Sequence, residues 1–294
     1  MIPPRILIIA GSDSGGGAGI QADIKTVTMF GGFAMTAIAA LTAQNTMGVD
    51  AVMPIPADFV LAQMDSVLAD LGADAVKIGM IGSAATVHAV ADRLAQLHGR
   101  HGEQPASALP QGSGLRGGSR LPVVFDPVMV ASSGSALADR ETVEAFERLI
   151  AVSTLVTPNA PELAVLSGQD IATVDDLESA ALSLAQRTGT SVLAKGGHLN
   201  VPVLVDVLVD VAGEVHRWEG ERIETLNTHG TGCTLASGIA CGLGQGRSLA
   251  DATERARQYV RAAIAAAPGF GKGHGPMGHA LGTVPFNVIH NKSA

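Results

Sequence analysis

A glycine-rich segment in the last quarter of the chain has the composition of an anion-binding turn. It reads NTHGTGCTLASGIACGLGQG over residues 227–246, with Gly230 and Gly232 directly before an apolar helical stretch that begins near Cys233. Glycines at the start of a helix allow successive backbone N–H groups to converge on an anion, and the helix dipole adds a favourable potential. A glycine-rich turn that only packs a helix is the alternative interpretation.

Two carboxylates and one lysine follow short apolar runs elsewhere in the chain. Asp126 comes directly after Val-Val-Phe, Glu162 follows a second short run, and Lys195 ends the run Ser-Val-Leu-Ala. Ligand sites of open α/β sheets lie at the carboxyl ends of strands. Mg²⁺ typically takes one or two carboxylates plus phosphate oxygens, so Asp126 and Glu162 are candidate metal ligands. The alternatives are a first-turn helix carboxylate for Glu162 and a solvated surface charge for Lys195.

A second glycine-rich segment, AGSDSGGGAGIQADIKT at 10–26, follows the first apolar run of the chain. Its residues from Gly11 to Gly19 carry little side-chain bulk, which lets the backbone approach a flat ring. Asp23 lies on the helix that we expect to follow. The segment is no dinucleotide fingerprint, because the G-x-G-x-x-G register and a following ribose carboxylate are not both evident. The turn is therefore a candidate for close approach of a ligand to the backbone.

The elements that must position these residues alternate along the chain. Short apolar runs rich in β-branched residues predict buried strands at Arg5–Ala10, Ala75–Ile78, Val123–Phe125, Leu155–Val156 and Ser191–Ala194. The stretches between them space apolar residues three or four apart, which predicts helices at Ile20–Phe30, Ala57–Leu71, Ala84–His98, Glu141–Val152, Val174–Thr188 and Cys233–Leu243. This alternation predicts an α/β fold, with a central, mostly parallel β-sheet flanked by helices on both faces.

Two segments depart from this alternation. Residues 98–122 are rich in Gly, Ser, Pro and Gln and lack an apolar period, which predicts a flexible surface insertion. Residues 203–220 contain two alternating runs around Ala212-Gly213 and predict a β-hairpin on the sheet's edge or over the site. We expect both segments to belong to a single domain that spans residues 1–294.

Composition and charge limit the possible partners. The chain has 294 residues with 47% hydrophobic content, which fits one large α/β domain with a full core. Its net charge of −8 offers no basic stripe for a phosphate backbone, which argues against nucleic acid. No segment reaches transmembrane length and the N-terminal apolar run is too short for a signal peptide, so we expect a cytoplasmic protein. Cys233 and Cys241 should stay reduced, because a helix would separate them by about two turns.

Seven segments resemble, in the same order, the motifs of one family of kinases. They are AGSDSGGGAGIQADIKT at 10–26, LTAQNT at 41–46, KIGMIGS at 77–83, VVFDPVM at 123–129, TPNAPE at 157–162, AKGGH at 194–198 and NTHGTGCT at 227–234. The chain is thereby similar to the hydroxymethylpyrimidine/phosphomethylpyrimidine kinases of ThiD type, which have the ribokinase-like fold. The resemblance covers nearly the whole chain except residues 98–122.

This resemblance implies an enzyme of thiamine biosynthesis. It implies transfer of the γ-phosphoryl group of ATP to the hydroxymethyl group of 4-amino-5-hydroxymethyl-2-methylpyrimidine. A second transfer to the resulting monophosphate then gives the diphosphate. ATP and Mg²⁺ are the implied cofactors, and catalysis of this kind consists mainly of positioning and charge neutralisation.

The catalytic residues implied by the resemblance lie in the NTHGTGCT segment. Backbone N–H groups of Gly230, Thr231, Gly232 and Cys233 are expected to stabilise the transferring phosphoryl group. Cys233, at a helix N-terminus that favours the thiolate, is expected to accept the alcohol proton, and His229 could modulate that thiol. Sugar kinases of this fold have Asp at the position of Cys233.

The other implied roles divide between the two substrates and the metal. Gln44 suits an aminopyrimidine because one amide both donates and accepts hydrogen bonds. A core methionine is the alternative for Met80. The substrate-binding residues are Gly11, Ala18, Asp23, Gln44, Met80 and Val128. The ATP-binding residues are Asn159, Lys195, Thr228 and Lys272, and the metal ligands are Asp126 and Glu162.

Two other functions remain open at this point. Pyridoxal kinase activity is the closer one, because a pyridine with a hydroxymethyl group resembles the pyrimidine. A non-catalytic pyrimidine- or thiamine-sensing module is the other, since Cys233 replaces the sugar-kinase Asp. The chain also has Ser132 where some family members carry Lys, and we expect a modest effect on ATP affinity. We expect a homodimer, although the sequence does not fix the oligomeric state.

Overall fold

The computed structural model describes residues 2–103, 120–131 and 134–281. The strands in these residues are β1 (Arg5–Asp13), β2 (Phe33–Gln44), β3 (Val49–Pro54), β4 (Ala75–Ile78), β5 (Val123–Phe125), β6 (Leu155–Val156), β7 (Ser191–Ala194), β8 (Val203–Val209) and β9 (Val215–Glu221). The helices are α1 (Gly19–Met29), α2 (Ala57–Asp70), α3 (Ala84–Glu103), α4 (Arg140–Val152), α5 (Ala160–Ser167), α6 (Val174–Thr188), α7 (Thr231–Gly244) and α8 (Leu249–Ala265).

The strands form one sheet with the order β3-β2-β1-β4-β5-β6-β7-β8-β9. The pairs from β2 through β1, β4, β5 and β6 to β7 are parallel, whereas β3, β8 and β9 are added in antiparallel orientation. The carboxyl ends of the six parallel strands therefore lie along the same edge of the sheet.

Helices cover both faces of this sheet because its central strands are apolar on both sides. In β1, Leu7 and Ile9 pack on the face covered by α2 to α6, whereas Ile6 and Ile8 pack on the face covered by α1, α7 and α8. A strand buried on both faces reads as a continuous apolar run, which is the signal that predicted β1. The predicted α/β fold class is thus present in the structure.

Most of the predicted elements are confirmed. The four shorter strands have the predicted bounds, β1 continues to Asp13, and the six helices agree within a few residues except α3, which continues to Glu103. The predicted hairpin is β8–β9 at the edge of the sheet. The predicted insertion at 98–122 begins too early, since residues 98–103 belong to helix α3. Residues 104–119 lie outside the described part of the chain. Ser132 lies outside it as well.

Four elements were not predicted, namely β2, β3, α5 and α8.

None of the helices in the described ranges is long and apolar enough to cross a membrane. Cys233 and Cys241 both carry free thiols, as expected.

Candidate active site

A cavity of about 590 Å³ lies at the carboxyl ends of the parallel strands. Of the sixteen residues predicted for the site, thirteen line it. They are Gly11, Ala18, Gln44, Met80, Asp126, Val128, Asn159, Glu162, Lys195, Gly230, Thr231, Gly232 and Cys233. The carboxyl ends of the parallel strands therefore bring together residues that are more than two hundred positions apart in sequence.

Asp13 organises the glycine-rich turn at the end of β1. Its carboxylate accepts hydrogen bonds from the backbone N–H groups of Gly15, Gly17 and Ala18 at 2.8–2.9 Å, and its Oδ2 lies 2.9 Å from His229 Nε2. Burial acts to raise the pKa of Asp13, but the hydrogen bonds from His229 and the backbone outweigh it and lower the pKa. The sequence analysis assigned Asp13 no role, although an Asp before a glycine run is a known turn signal.

The anion-binding segment packs directly on this turn. Gly230 has a φ of +86°, and a Cβ at this position would lie 2.0 Å from the carbonyl oxygen of Gly17. Helix α7 begins at the next residue, and the first N–H groups of a helix have no acceptor within it. Because Gly232 and Cys233 in this first turn line the cavity, the helix start offers N–H groups and a positive dipole end to an anion.

Three charged side chains meet opposite this helix start. Lys195 Nζ lies 2.8 Å from Asp126 Oδ1 and 3.9 Å from Glu162 Oε2. Thr157 Oγ1 donates a second hydrogen bond to Asp126 Oδ1 at 2.9 Å. A Cβ at Gly232 would lie 3.1 Å from Asp126 Oδ2 and 3.4 Å from Lys195 Nζ, so the cluster contacts the first turn of α7. Fixed charges of both signs therefore surround the position where an anion would bind.

Glu162 also caps the N-terminus of α5. Its Oε2 accepts a hydrogen bond from the Asn159 backbone N–H at 2.8 Å, and Asn159 Oδ1 accepts one from the Glu162 backbone N–H at 2.9 Å. This reciprocal capping box agrees with the structural alternative considered for Glu162. Burial raises the pKa of Glu162 to about 7, and the charge of Asp126 adds to this effect while Lys195 opposes it. A second cation near these carboxylates would favour the ionised form of Glu162.

Another part of the cavity wall carries an amide and apolar side chains. Gln44, at the end of β2, is half-buried and lines it together with Met80 and Val128. A Cβ at Gly11 would lie 2.3 Å from Met80 Cε, so the methionine fills the space that this glycine leaves. Met80 is not a fully buried core residue, and its place on the cavity wall agrees with the ligand-wall interpretation. This part can hold a flat ring between apolar side chains and one amide.

Cys233 is partly exposed to the cavity at the start of α7. The surrounding protein raises the pKa of the Cys233 thiol to about 11, and the positive charge of Lys77 lowers it only in part. The expected thiolate is therefore wrong, because burial by the surrounding protein raises the pKa more than Lys77 lowers it. Cys233 is a neutral thiol at pH 7, and its role as proton acceptor stays a prediction.

Asp23 does not line the cavity, contrary to its predicted role in substrate binding. It is fully buried, with Oδ2 at 2.8 Å from Lys77 Nζ and Oδ1 accepting a hydrogen bond from Ser237 Oγ at 2.7 Å. Lys77 is fully buried too, so each charge compensates the other, and removing one would leave an unpaired buried charge. The Asp23–Lys77 pair joins α1 to β4, and the hydrogen bond from Ser237 adds α7. A lysine inside a buried strand run was the signal that a carboxylate partner had to exist.

Two residues predicted for ATP also lie outside this cavity. Thr228 lines a second cavity of about 470 Å³, which shares His198, Thr231 and Val260 with the first. The two cavities therefore adjoin. Lys272 is exposed and lines neither of these two cavities. Its backbone N–H donates to Thr46 Oγ1 at 3.2 Å, which anchors the loop, and its role in ATP binding stays a prediction.

The sheet covered on both faces and the site at its strand ends define the class of protein, a small-molecule kinase with the ribokinase-like fold. The solved structure of an ADP complex of Bacillus subtilis pyridoxal kinase resembles the chain with a TM-score of 0.79 and 32% sequence identity. The similarity covers 95% of this chain and 98% of that one. The predicted fold class is confirmed.

Within this class, the chain belongs to the phosphomethylpyrimidine kinase family, whose model matches residues 13–101 and 114–278. The hydroxymethylpyrimidine/phosphomethylpyrimidine kinase of Rhizobium meliloti is 45% identical over 278 residues, which cover 93% of this chain and 96% of that protein. The thiamine biosynthesis bifunctional protein ThiED of Geobacter sulfurreducens is 45% identical over 277 residues. The chain spans 52% of the length of ThiED. The predicted family and the prediction of a kinase are confirmed.

Proposed function

We propose that this kinase transfers the γ-phosphoryl group of ATP to the hydroxymethyl group of 4-amino-5-hydroxymethyl-2-methylpyrimidine. It then phosphorylates the resulting monophosphate to the diphosphate used for thiamine. One observation carries the proposal: the glycine-rich start of α7 faces the Asp126–Lys195 pair in the same cavity that holds Gln44 and Met80. The name of the Rhizobium meliloti relative supports the same substrates.

The acceptor ring is placed at the Gln44 end of the cavity. Met80 and Val128 provide apolar contact for its faces, and Gln44 and the backbone of Ala18 provide polar contacts for its edge. The reacting hydroxymethyl oxygen then points towards Cys233 and the start of α7. This arrangement holds the acceptor for in-line attack and excludes water from its apolar sides.

The transferring phosphoryl group is placed between the start of α7 and Lys195. Backbone N–H groups of Gly232 and Cys233 and the ammonium group of Lys195 stabilise the charge on its oxygens. The remainder of ATP extends into the adjoining cavity, where Thr228 lies. Because these donors are fixed before the reaction, little reorganisation is needed when charge develops.

Asp126 and Glu162 fit Mg²⁺ as a partner of the ATP phosphates. Both are hard oxygen donors, and they are only 2% and 6% exposed, with one cation, Lys195, between two carboxylates. Mg²⁺ is usually bound through one or two carboxylates plus substrate phosphates, which is the number of carboxylates here. Bound there, Mg²⁺ would neutralise phosphate charge, and Asp126 and Glu162 would hold it.

Variants of these two carboxylates should weaken the apparent affinity for Mg²⁺ without unfolding the site. Asp126→Asn and Glu162→Gln remove a charge but keep an oxygen, so the hydrogen bonds from Thr157 and Asn159 can persist. Each should raise the Mg²⁺ concentration for half-maximal rate on the order of tenfold or more. The measurement is steady-state turnover against Mg²⁺ at saturating ATP.

A matched control exists in α6, where Asp176 forms a capping box with Thr173 far from the cavity. Asp176→Asn should leave the Mg²⁺ dependence unchanged. An unchanged dependence in both Asp126→Asn and Glu162→Gln would remove the metal assignment.

Pyridoxal kinase activity is the second candidate, favoured by the similarity to Bacillus subtilis pyridoxal kinase. ATP consumption with the hydroxymethylpyrimidine, its monophosphate and pyridoxal separates the candidates. We expect turnover with both pyrimidines and a kcat/KM for pyridoxal at least tenfold lower, the size of effect that one lost polar pairing produces. Faster turnover of pyridoxal would assign the second function, and no turnover of any acceptor would favour a sensing module.

The proposed enzyme acts as a single domain, which the one continuous sheet supports. Its proposed location is the cytoplasm, and the two free thiols suit a reducing compartment. Assembly as a homodimer stays a prediction.

A further inference from the structure

Three polar side chains link the anion-binding segment to the ring-binding end of the cavity. His229 Nε2 lies 2.9 Å from Asp13 Oδ2 and 3.2 Å from the terminal nitrogen of Gln44, and the amide oxygen of Gln44 lies 3.2 Å from Thr42 Oγ1. Asp13 and His229 are only 3% and 7% exposed. A Cβ at Gly17 would lie 2.5 Å from His229 Cδ2, so the imidazole ring is held tightly against the turn.

The hydrogen count at Thr42 determines one side of the Gln44 amide. The Thr42 hydroxyl has a single hydrogen, and its Oγ1 lies 2.9 Å from the carbonyl oxygen of Ser12, which can only accept. That hydrogen is therefore used, and Thr42 Oγ1 can only accept from Gln44. The Gln44 atom beside Thr42 must then be the nitrogen of the amide, which donates to Thr42 Oγ1.

The hydrogen count at His229 gives the same answer for the other side. Asp13 Oδ2 also accepts from two backbone N–H groups, so it is an ionised carboxylate and His229 Nε2 must carry a hydrogen towards it. This holds for the Nε2–H tautomer and for the protonated ring alike. A ring nitrogen that carries hydrogen cannot accept from an NH₂ group. The Gln44 atom that fits beside His229 is therefore the amide oxygen, which at 3.2 Å shares the single Nε2 hydrogen with Asp13 Oδ2 as the more distant acceptor.

We infer that His229, oriented by Asp13, and Thr42 together fix the direction of the Gln44 amide and so determine which ring edge the enzyme accepts. In this direction the amide oxygen faces His229 and the NH₂ group faces Thr42. One N–H and one oxygen lone pair of Gln44 remain for a ligand. His229 and Thr42 are positioning residues, since they act through Gln44.

This inference rests on the proposed function, because it explains the choice of an aminopyrimidine. A 4-aminopyrimidine presents an amino donor next to a ring-nitrogen acceptor, which matches one acceptor and one donor on a fixed amide. A ring without the amino group leaves the amide oxygen unpaired. An amide that is free to turn would present either pattern and would discriminate less between the two rings.

The experiment compares binding of 4-amino-5-hydroxymethyl-2-methylpyrimidine with binding of the same compound without its 4-amino group. Two matched pairs of variants are used. Thr42→Val and His229→Leu remove the group that faces the amide, whereas Thr42→Ser keeps the hydroxyl and His229→Gln keeps an N–H near the Nε2 position. Kd is measured by titration calorimetry for both compounds, and turnover is measured separately.

Wild type should prefer the amino compound, and Thr42→Val and His229→Leu should each reduce that preference about fivefold to tenfold, the effect of one hydrogen bond. Thr42→Ser and His229→Gln should retain most of it. Equal weakening for both compounds, or no preference in wild type, would overturn the inference. If His229→Leu does not fold, the Thr42 pair decides alone. Wild type that binds with the expected preference but does not phosphorylate the ring would contradict the proposed function and leave the inference standing.

Discussion

Gly230→Ala should reduce turnover with the free pyrimidine and with its monophosphate by about 10²-fold or more, the loss expected when an anion-hole donor is misplaced. The φ of +86° at this position disfavours any side chain, and the new Cβ would lie 2.0 Å from the Gly17 carbonyl oxygen. The backbone must therefore shift, and the start of α7 shifts with it. Both phosphorylations use the same N–H groups, so both rates should fall together.

The control is Gly189→Ala, at the end of α6. Gly189 has a φ of +65°, but nothing lies within 4 Å of a Cβ built there. This variant has a similar backbone strain, of about 1 kcal/mol, without the clash. It should lower the melting temperature and leave turnover nearly unchanged. Single-turnover ATP cleavage with each acceptor in saturating excess measures the chemical step. A Gly230→Ala enzyme with wild-type rates, or one impaired with only one acceptor, would contradict the anion-hole assignment.

The sheet could be predicted because its central strands are short apolar runs, but four elements gave weaker signals. β2 has the sequence FAMTAIAALTAQ, where five alanines replace the β-branched residues that usually indicate a strand. Helix α8 buries Ala252 and Ala256 against Gly242 and Gly238 of α7. Small residues permit this close packing but contribute little to an apolar period. Helix α5 is only eight residues long, which is too short for a clear helical period.

The cavity could be predicted for a different reason, because strand ends and glycine-rich turns can be recognised from short stretches of sequence. What the sequence could not show is which charges neutralise one another. Asp23 is paired with Lys77, 54 residues away, and this contact takes it out of the cavity. Likewise, the helix start at Cys233 suggested a thiolate, whereas burial, which depends on distant segments, raises the pKa of the thiol. Local pattern locates a site, and three-dimensional surroundings determine its ionisation.

At pH 9, where more of the thiol is ionised than at pH 7, Cys233→Ala should slow phosphorylation of the free pyrimidine on the order of 10²-fold while affecting the monophosphate far less. The two acceptors differ in their need for a base. A phosphate monoester has a second pKa of about 6 and is already ionised at neutral pH, whereas an alcohol must lose its proton during attack. If Cys233 accepts that proton, only the first phosphorylation depends on the sulfur. Single-turnover rates with each acceptor in saturating excess provide the comparison.

The raised pKa of Cys233 adds a pH signature to this expectation. Only the thiolate can accept a proton, and with a pKa of about 11 its fraction grows about tenfold for each pH unit below that value. The rate of the alcohol step should therefore rise with pH from 7 to 9, whereas the monophosphate step should be nearly flat. In Cys233→Ala the slope should disappear from the alcohol step.

Cys233→Asp is the informative second variant, because it places the sugar-kinase residue at this position. Burial raises the pKa of a carboxyl group as well, but from a starting value of about 3.9, so this base is ionised at lower pH than the thiol. The variant should retain alcohol phosphorylation and shift its pH dependence towards acid. If Cys233→Ala instead loses equal activity with both acceptors, and Cys233→Asp does not shift the profile, the base role is rejected. Cys233 would then be a residue that packs the start of α7 against Gly19.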